Sequence, residues 1–272
     1  MRVLVHLSDL HFGRIDERIL NPLIAKVREL QPHVVAVSGD FTQRARPQEF
    51  REAREFLKLL PQPQIVVPGN HDLPLHNLYA RFRHALDAYQ EYISNDVEPF
   101  YLDPEIAVTG ANTARRMAIK GGRINHAQID RIEERLCGLS PETIRVLVTH
   151  HPFDLPETYR RRALVRRAPL AMNTLARCRV DLLLAGHFHR SHTGHTAMRY
   201  PIAGHSAVFF LAGTLSTRHR GEPNSFNVIR VQRPRVQVER MVWKPEALSF
   251  SSFSIEEFHQ TSSGWTRARP WC

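Results

Sequence analysis

Short runs of β-branched and other apolar residues recur along this chain, and they limit the folds it can adopt more than any other feature does. Six such runs cover residues 3–7, 33–37, 64–67, 106–109, 145–149 and 181–185. Each has the length and composition of a buried strand. Between the earlier runs, residues 17–30 and 48–60 carry apolar side chains at helical spacing. This alternation predicts an α/β fold in which helices cover a largely parallel sheet.

The pattern changes after residue 195. Residues 207–211, 226–231 and 236–243 indicate successive strands without helices between them, which predicts a second, more antiparallel sheet. A length of 272 residues predicts one domain over residues 1–272. The apolar N-terminal stretch is short and contains Arg2 and Asp9, so we interpret it as a buried strand and not as a signal peptide. No apolar run in the sequence approaches the roughly 20 residues of a membrane span.

The three cysteines, Cys137, Cys178 and Cys272, are odd in number and far apart in the sequence. This argues against a disulfide framework and against zinc bound through thiolates. It favours a reducing environment, so we predict a cytoplasmic location.

Basic residues dominate the charge, with 37 lysines and arginines against 27 aspartates and glutamates, a formal +10. Such a surface attracts anions, so nucleic acid, anionic lipid and small phosphate-bearing metabolites are all candidate partners. Arginines at 160–162 and 166–167 lie in a segment that we predict to be a basic surface insertion, residues 152–169. The sequence does not indicate an oligomeric state.

Polar side chains follow five of the predicted strands, at the edge where open α/β sheets bind their ligands. The clusters are Asp9-Leu10-His11, Gly39-Asp40, Gly69-Asn70-His71-Asp72, His150-His151 and Gly186-His187-Phe188-His189. Asp9 and His11 lie two residues apart at a strand end, so their side chains project to the same side and can chelate one ion. Asp40 offers a carboxylate that could bridge two cations. Mixed His, Asp and Asn ligands suit Mn, Fe, Zn or Co.

This ordered set of motifs, with His150-His151 followed by Pro152, resembles that of the calcineurin-like metallophosphoesterases. The resemblance implies a four-layer α-β-β-α sandwich, in which two mixed sheets are flanked by helices. It implies a site for two divalent or trivalent ions, with Mn and Fe favoured. The first ion would be held by Asp9, His11, Asp40 and His189, and the second by Asp40, Asn70, His150 and His187. Asp40 would bridge the two, and the family pattern alone selects His150 over His151.

The resemblance also predicts the chemistry. A water that bridges two close cations becomes hydroxide near neutral pH, and the same ions hold phosphate oxygens for an in-line displacement. His71 would be the catalytic residue that protonates the leaving oxygen or stabilises the transition state. Asp72 would either orient His71 or cap the following segment.

The motifs are most similar to those of class III cyclic-nucleotide phosphodiesterases and glycerophosphodiesterases. We therefore predict hydrolysis of a cyclic nucleotide or another small phosphodiester. Four residues after predicted strands are candidate substrate contacts, namely Asn112, Arg218, Arg220 and Asn224. One alternative is a nuclease or a nucleotide-lipid pyrophosphatase of the same superfamily, which the arginines at 160–167 would favour. A non-catalytic binding scaffold is a remote alternative, because no predicted ligand is missing.

Overall fold

The computed structural model describes residues 1–75, 78–118 and 120–268. The strands in this part of the chain are β1 (Arg2–Leu7), β2 (Val34–Val37), β3 (Gln64–Val66), β4 (Phe100–Leu102), β5 (Ile106–Gly110), β6 (Ile144–Val148), β7 (Leu182–Ala185), β8 (His192–His195), β9 (Val208–Leu211), β10 (Ser225–Gln232), β11 (Arg235–Lys244), β12 (Ser249–Thr261) and β13 (Gly264–Arg267). The α-helices are α1 (Glu17–Glu29), α2 (Pro47–Lys58), α3 (Leu78–Arg83), α4 (Asp87–Tyr92), α5 (His126–Leu136) and α6 (Ala168–Arg177). All the strands and both helices that the sequence predicts are present, with ends shifted by one or two residues.

The strands form two mixed sheets. The first sheet has the order β13-β12-β11-β10-β1-β2-β3, and the second has the order β4-β5-β6-β7-β9-β8. In the first sheet β1, β2 and β3 are parallel, while β10 pairs antiparallel with β1 and begins an antiparallel meander. In the second sheet β5, β6, β7 and β9 are parallel, and β4 and β8 are antiparallel edge strands.

Apolar residues fill three separate layers, which fixes the four-layer order. Alternate residues of a strand point to opposite faces of its sheet. Leu4 of β1 therefore packs between the two sheets, while Val5 packs against α1 and α2. In the second sheet Val146 faces the layer between the sheets, and Leu147 faces α5 and α6. The α-β-β-α sandwich implied by the family resemblance is confirmed.

The expectation from periodicity alone, one parallel sheet followed by a separate antiparallel sheet, was wrong. The early parallel strands are divided between the two sheets, and β9 joins the second sheet although it comes late in the chain. The antiparallel strands β10 to β13 extend the first sheet instead of forming their own. Apolar runs mark strands, but they carry no label for the sheet that a strand joins.

The prediction against a disulfide framework does not hold for Cys137 and Cys178, because these two residues form a disulfide across 41 residues of sequence. They cap the C-terminal ends of α5 and α6, which pack side by side on the second sheet. Distance along the sequence did not reveal this proximity. The cysteines therefore no longer support a cytoplasmic location, which stays a prediction. Cys272 lies outside the described residues.

The predicted basic insertion, residues 152–169, is anchored in the core and is exposed mainly at its arginines. Phe153 and Val165 are buried among the residues that pack between α5, α6 and the second sheet. Arg160, Arg162 and Arg166 are exposed. The segment is therefore part of the sandwich that presents positive charge at its surface. No helix among the described residues has the length and apolar content needed to cross a bilayer.

Candidate metal centre

The five predicted clusters meet at one edge of the sandwich, where β1, β2, β3, β6 and β7 end. Several of the polar residues there have left-handed backbone conformations, which residues other than glycine rarely adopt. The φ angle is 54° at Asp9, 47° at His11, 55° at Asp40, 73° at His187 and 58° at His189. Such strain concentrates at functional sites, where the surrounding fold holds it in place.

One group of side chains gathers around Asp9. The Oδ1 atom of Asp9 lies 3.2 Å from Nε2 of His189 and 3.6 Å from Nε2 of His11. The two imidazole Nε2 atoms are 3.2 Å apart, and Nε2 of His11 lies 3.6 Å from Oδ2 of Asp40. The ligand atoms of these four residues all lie within 4.8 Å of one another. They are the set predicted for the first ion.

A second group gathers around His150. Its Nε2 atom lies 3.2 Å from Oδ1 of Asn70, 3.3 Å from Nδ1 of His187 and 3.4 Å from Oδ2 of Asp40. The Oδ2 atom of Asp40 is thus close to His11 in the first group and to His150 in the second. That is the position a bridging carboxylate needs.

Backbone carbonyls determine which atom three of the histidines present to the centre. The Nδ1 atoms of His11, His150 and His189 lie 3.2, 2.7 and 2.9 Å from the carbonyl oxygens of Thr42, Ser38 and Arg218. Because a carbonyl oxygen only accepts, each Nδ1 donates and each Nε2 faces the centre. Histidine ligands of metal ions are oriented in this way.

Asp9 provides the test of whether a cation fits. Its Oδ2 atom accepts from Oγ of Ser8 at 2.7 Å and from the His187 N–H at 2.9 Å. Its Oδ1 atom is buried and accepts no hydrogen bond from the residues that the structure describes. Burial alone would raise the pKa of Asp9, but the His189 and His11 imidazoles outweigh it and hold the pKa well below its ordinary value. A buried carboxylate oxygen without a hydrogen bond, facing two imidazole nitrogens, fits a bound cation.

The environment of His150 also favours a positive charge next to Asp40. Burial lowers its pKa, but the Asp40 carboxylate more than compensates, and the pKa of His150 is raised to about 9. Without a metal ion, a proton on Nε2 therefore neutralises Asp40. A cation that binds there would have to displace this proton, as metal ions do at protonated ligands.

His151 lies beside the centre but has different contacts. Its Nδ1 atom is 2.9 Å from Oγ1 of Thr113, and its Nε2 atom is buried without a hydrogen bond. Burial, together with the charges of His187 and His150, lowers the pKa of His151 well below its ordinary value. The ring nitrogens of His150, His151 and His187 are within 4.8 Å of one another. The contacts of His150 with Asp40 and Asn70 favour it over His151 as the ligand.

His71 borders the centre without joining either group. Its N–H donates to Oδ1 of Asp40 at 2.8 Å, and its Nδ1 atom is 2.9 Å from the Gln43 carbonyl oxygen. Its Nε2 atom is 3.0 Å from Nη1 of Arg218. A guanidinium has no acceptor and a carbonyl has no donor, so Nδ1 of His71 carries the proton and Nε2 accepts.

Asp72 organises the loops around the centre. It accepts the N–H groups of Gly69 at 2.8 Å, Thr42 at 2.9 Å and Phe41 at 3.2 Å. Burial and the nearby Asp40 charge raise the pKa of Asp72 to about 7. Since these contacts join the loop after β2 to the loop after β3, they favour the structural alternative for Asp72 over the orientation of His71.

The four predicted substrate contacts occupy different environments. Arg218 reaches His71 and His11 at the centre, whereas Arg220 is exposed. Asn224 is buried and donates to the carbonyl oxygens of Thr214 and Ser216 within its own loop. Oδ1 of Asn112 accepts the Ala114 N–H. The substrate roles of Asn112, Arg220 and Asn224 stay predictions that these contacts do not favour.

Two residues that support Asp9 were missed by the sequence analysis. Ser8 donates to its carboxylate, and Oγ1 of Thr214 donates to its backbone carbonyl oxygen at 2.9 Å. Ser8 directly precedes Asp9 in the motif, so its position beside a predicted ligand could have identified it. Thr214 lies 205 residues away in sequence and offered none.

With this geometry in place, comparison with known sequences assigns the protein to a class. The sequence profile of the calcineurin-like phosphoesterases matches residues 2–191, and the chain belongs to this family. A glycerophosphodiester phosphodiesterase of Enterobacter lignolyticus is 37% identical over 81 residues, which cover 26% of this chain and 29% of the relative. A probable cyclic nucleotide phosphodiesterase of Synechococcus is 24% identical over 177 residues, which cover 62% of each. The chain therefore spans less than two thirds of the length of either relative.

Solved structures share the fold at low sequence identity. A purple acid phosphatase from yellow lupin is 10% identical with a TM-score of 0.69, and the match covers 94% of this chain and 53% of that one. A dimetal phosphatase from Danio rerio is 11% identical with a TM-score of 0.61, and the match covers 93% of this chain and 98% of that one. At these identities the likeness extends to the fold alone.

Proposed function

We propose that this protein is a two-metal phosphodiesterase that hydrolyses a small phosphodiester, with a cyclic nucleotide as the first candidate. The position of Asp40 carries the proposal, because one carboxylate oxygen lies 3.6 Å from His11 Nε2 and 3.4 Å from His150 Nε2. A single oxygen placed between two groups of ligands is typical of a binuclear centre. The relatives named for glycerophosphodiester and cyclic nucleotide hydrolysis support the substrate class.

The division of labour follows from the contacts. When bound, two ions would activate a water for attack and neutralise the phosphate oxygens. Asp9, His11 and His189 would hold one ion, and Asn70, His150 and His187 would hold the other, with Asp40 shared. His71 points its Nε2 atom at the rim, where it meets Arg218 at 3.0 Å. Because that atom accepts in this arrangement, His71 has to gain a proton before it can supply one to the leaving oxygen.

A second candidate is a nuclease or a nucleotide-lipid pyrophosphatase of the same superfamily. The Tyr159 ring lies 5.1 Å from the Phe188 ring, and Phe188 lies between His187 and His189 in sequence. The basic segment that begins at Arg160 therefore starts next to the centre. Exposed arginines in that position would suit a longer anionic substrate, such as a nucleic-acid backbone or a lipid-linked diphosphate.

Hydrolysis of bis(p-nitrophenyl) phosphate tests the proposal at its most general level. We expect turnover that depends on added manganese, and no turnover with manganese, iron, zinc or cobalt would refute the hydrolase. A panel of cyclic nucleotides, glycerophosphodiesters, single-stranded DNA and a nucleotide-linked lipid then separates the candidates. Preference for DNA or for the lipid would reject a small phosphodiester as the substrate.

A further inference from the structure

A loop between β9 and β10 brings Arg218 to the metal centre and is tied to the chain that carries Asp9. Thr214 donates to the Asp9 carbonyl oxygen at 2.9 Å, and the Thr217 N–H donates to the Arg14 carbonyl oxygen at 2.8 Å. Asn224 closes the loop by donating to the Ser216 carbonyl oxygen at 2.8 Å. Arg218 is thus fixed relative to the first group of ligands.

The guanidinium of Arg218 lies against two imidazoles. Its Nη1 atom is 3.0 Å from Nε2 of His71 and 3.4 Å from both ring nitrogens of His11. The side chain is half-buried. The Nε and Nη2 groups make no hydrogen bond with any residue that the structure describes, which leaves donors free for a ligand.

Arg218 also has no carboxylate partner within ion-pair distance among the described residues. Arg199, Arg233 and Arg240, which like Arg218 are neither fully buried nor fully exposed, each have one, with distances of 2.6, 2.8 and 2.7 Å to Asp154, Asp181 and Glu222. In the proposed function, the charges of Asp9 and Asp40 are offset by bound cations. An unpaired guanidinium beside two cations is unfavourable unless an anion lies between them.

We propose that Arg218 is a catalytic residue that binds a non-bridging oxygen of the substrate phosphate. The inference rests on the proposed function. It adds to that function a protein side chain, Arg218, that would bind the phosphate together with the metal ions. A guanidinium presents planar N–H donors that match phosphate oxygens. Contact with phosphate would also draw Nη1 away from His71, which would leave Nε2 of His71 free to take up a proton from water and then pass it to the leaving oxygen.

The alternative to phosphate binding is that the Arg218 side chain positions the metal ligands. Metal content distinguishes the two roles. The backbone carbonyl oxygen of Arg218 accepts from Nδ1 of His189 at 2.9 Å. A side-chain substitution keeps that carbonyl, so metal binding should be preserved. Arg235 is the control, because it is an exposed arginine at the start of β11, at the edge of the sandwich opposite the metal centre.

The experiment compares the wild-type protein with Arg218→Ala, Arg218→Lys and Arg235→Ala, each loaded with manganese. Metal content is measured by mass spectrometry, and binding of inorganic phosphate by titration calorimetry. We expect equal metal content, phosphate affinity at least roughly tenfold weaker in Arg218→Ala, and an intermediate value in Arg218→Lys, since a hydrogen bond to a charged group is lost. Arg235→Ala should remain within about twofold of wild type.

Phosphate affinity that stays within about twofold of wild type in Arg218→Ala would overturn the inference, and so would an equal loss in Arg235→Ala. Loss of manganese from Arg218→Ala would overturn it as well, because Arg218 would then support the ligands. Turnover of bis(p-nitrophenyl) phosphate is recorded in parallel. Without turnover in the wild-type protein the proposed function fails, whereas the phosphate titration still decides the role of Arg218.

Discussion

Histidine supplies four of the seven predicted metal ligands, and a neighbouring group determines what each ring can do. Carbonyl oxygens hold Nδ1 of His11, His150 and His189. The same device holds Nδ1 of His71 against Gln43, but its Nε2 atom faces Arg218. Nε2 of each of these three predicted ligands lies near a carboxylate oxygen, whereas Nε2 of His71, the predicted catalytic residue, has its nearest partner in the Arg218 guanidinium.

His71→Ala should leave metal content unchanged and lower kcat by roughly 10²-fold, the usual effect of removing a proton donor or a transition-state contact. The backbone N–H that donates to Asp40 remains in this variant. Metal analysis and steady-state kinetics on bis(p-nitrophenyl) phosphate provide the check, with the exposed His126→Ala as the control. Loss of metal from His71→Ala would show that our division between ligand and catalyst is wrong.

Asp40→Ala should remove metal from both halves of the centre, because its Oδ2 atom is the one close to His11 and to His150. His189→Ala should mainly empty the first half, since its Nε2 atom contacts Asp9. Manganese per chain, measured after removal of free metal, should therefore be lower in Asp40→Ala than in His189→Ala. Equal stoichiometry in the two variants would argue against a bridging Asp40.

At the residue scale, the sequence predicted which side chains gather at the candidate metal centre. It did not predict which polar residues of the surrounding loops face that centre. Asp9 and His11 follow a strand in a fixed motif, so their direction could be inferred from the strand. Asn112 and Asn224 also follow strands, yet their amides bond within their own loops. A polar residue after a strand can face a ligand or close a turn, and only the path of the loop decides.

At the scale of the elements, the loops after the parallel strands are packed so closely that glycine is required between them. A Cβ atom on Gly186 would lie 1.8 Å from Oγ of Ser8 and 2.5 Å from Oδ2 of Asp9. The loop after β7 therefore touches the loop after β1. This contact joins the two sheets at the metal centre, because β1 and β7 belong to different sheets.

Gly186→Ala should displace Ser8 and Asp9, lower manganese content and reduce the free energy of unfolding by about 1–3 kcal/mol, the usual cost of overpacking. Gly121→Ala is the control, since no atom of the described residues, apart from its chain neighbours, lies within 4 Å of its added Cβ. Thermal unfolding and metal analysis of both variants test this. Unchanged metal content in Gly186→Ala would mean that the loops can move apart without harm to the centre.

The existence of most strands and of α1 and α2 was predictable, because their apolar periodicity is local. The assignment of β9 to the second sheet and of β10 to the first was not, since neither run carries a signal for the sheet that it joins. The Cys137–Cys178 disulfide was missed for a similar reason. Each depends on which segments meet in space. The family resemblance supplied the sandwich of two mixed sheets, whereas periodicity predicted one parallel and one antiparallel sheet.

At the scale of the whole molecule, the edge opposite the metal centre has its own connection between the sheets. Asp181, just before β7, accepts from the Arg145 N–H at 2.8 Å in the second sheet. It also accepts from Arg233 and from Nε1 of Trp265 at 2.8 Å in the first sheet. Burial raises the pKa of Asp181 in spite of the Arg233 charge. Asp181 therefore connects the sheets mainly by accepting several hydrogen bonds, and less by its negative charge.

Asp181→Ala should leave buried donors of Trp265 and Arg145 without an acceptor, and lower the free energy of unfolding by about 2–4 kcal/mol. Manganese content should stay at the wild-type level, because His187 and the centre lie at the other end of β7. Glu133→Ala is the control, since its 2.6 Å pair with Arg177 is exposed and should cost less than about 1 kcal/mol. Urea unfolding followed by circular dichroism separates the two variants. Equal midpoints would show that Asp181 adds no more to the contact between the sheets than an exposed ion pair does. A lower midpoint with full metal content would show that the Asp181 contacts stabilise the sandwich independently of the metal centre.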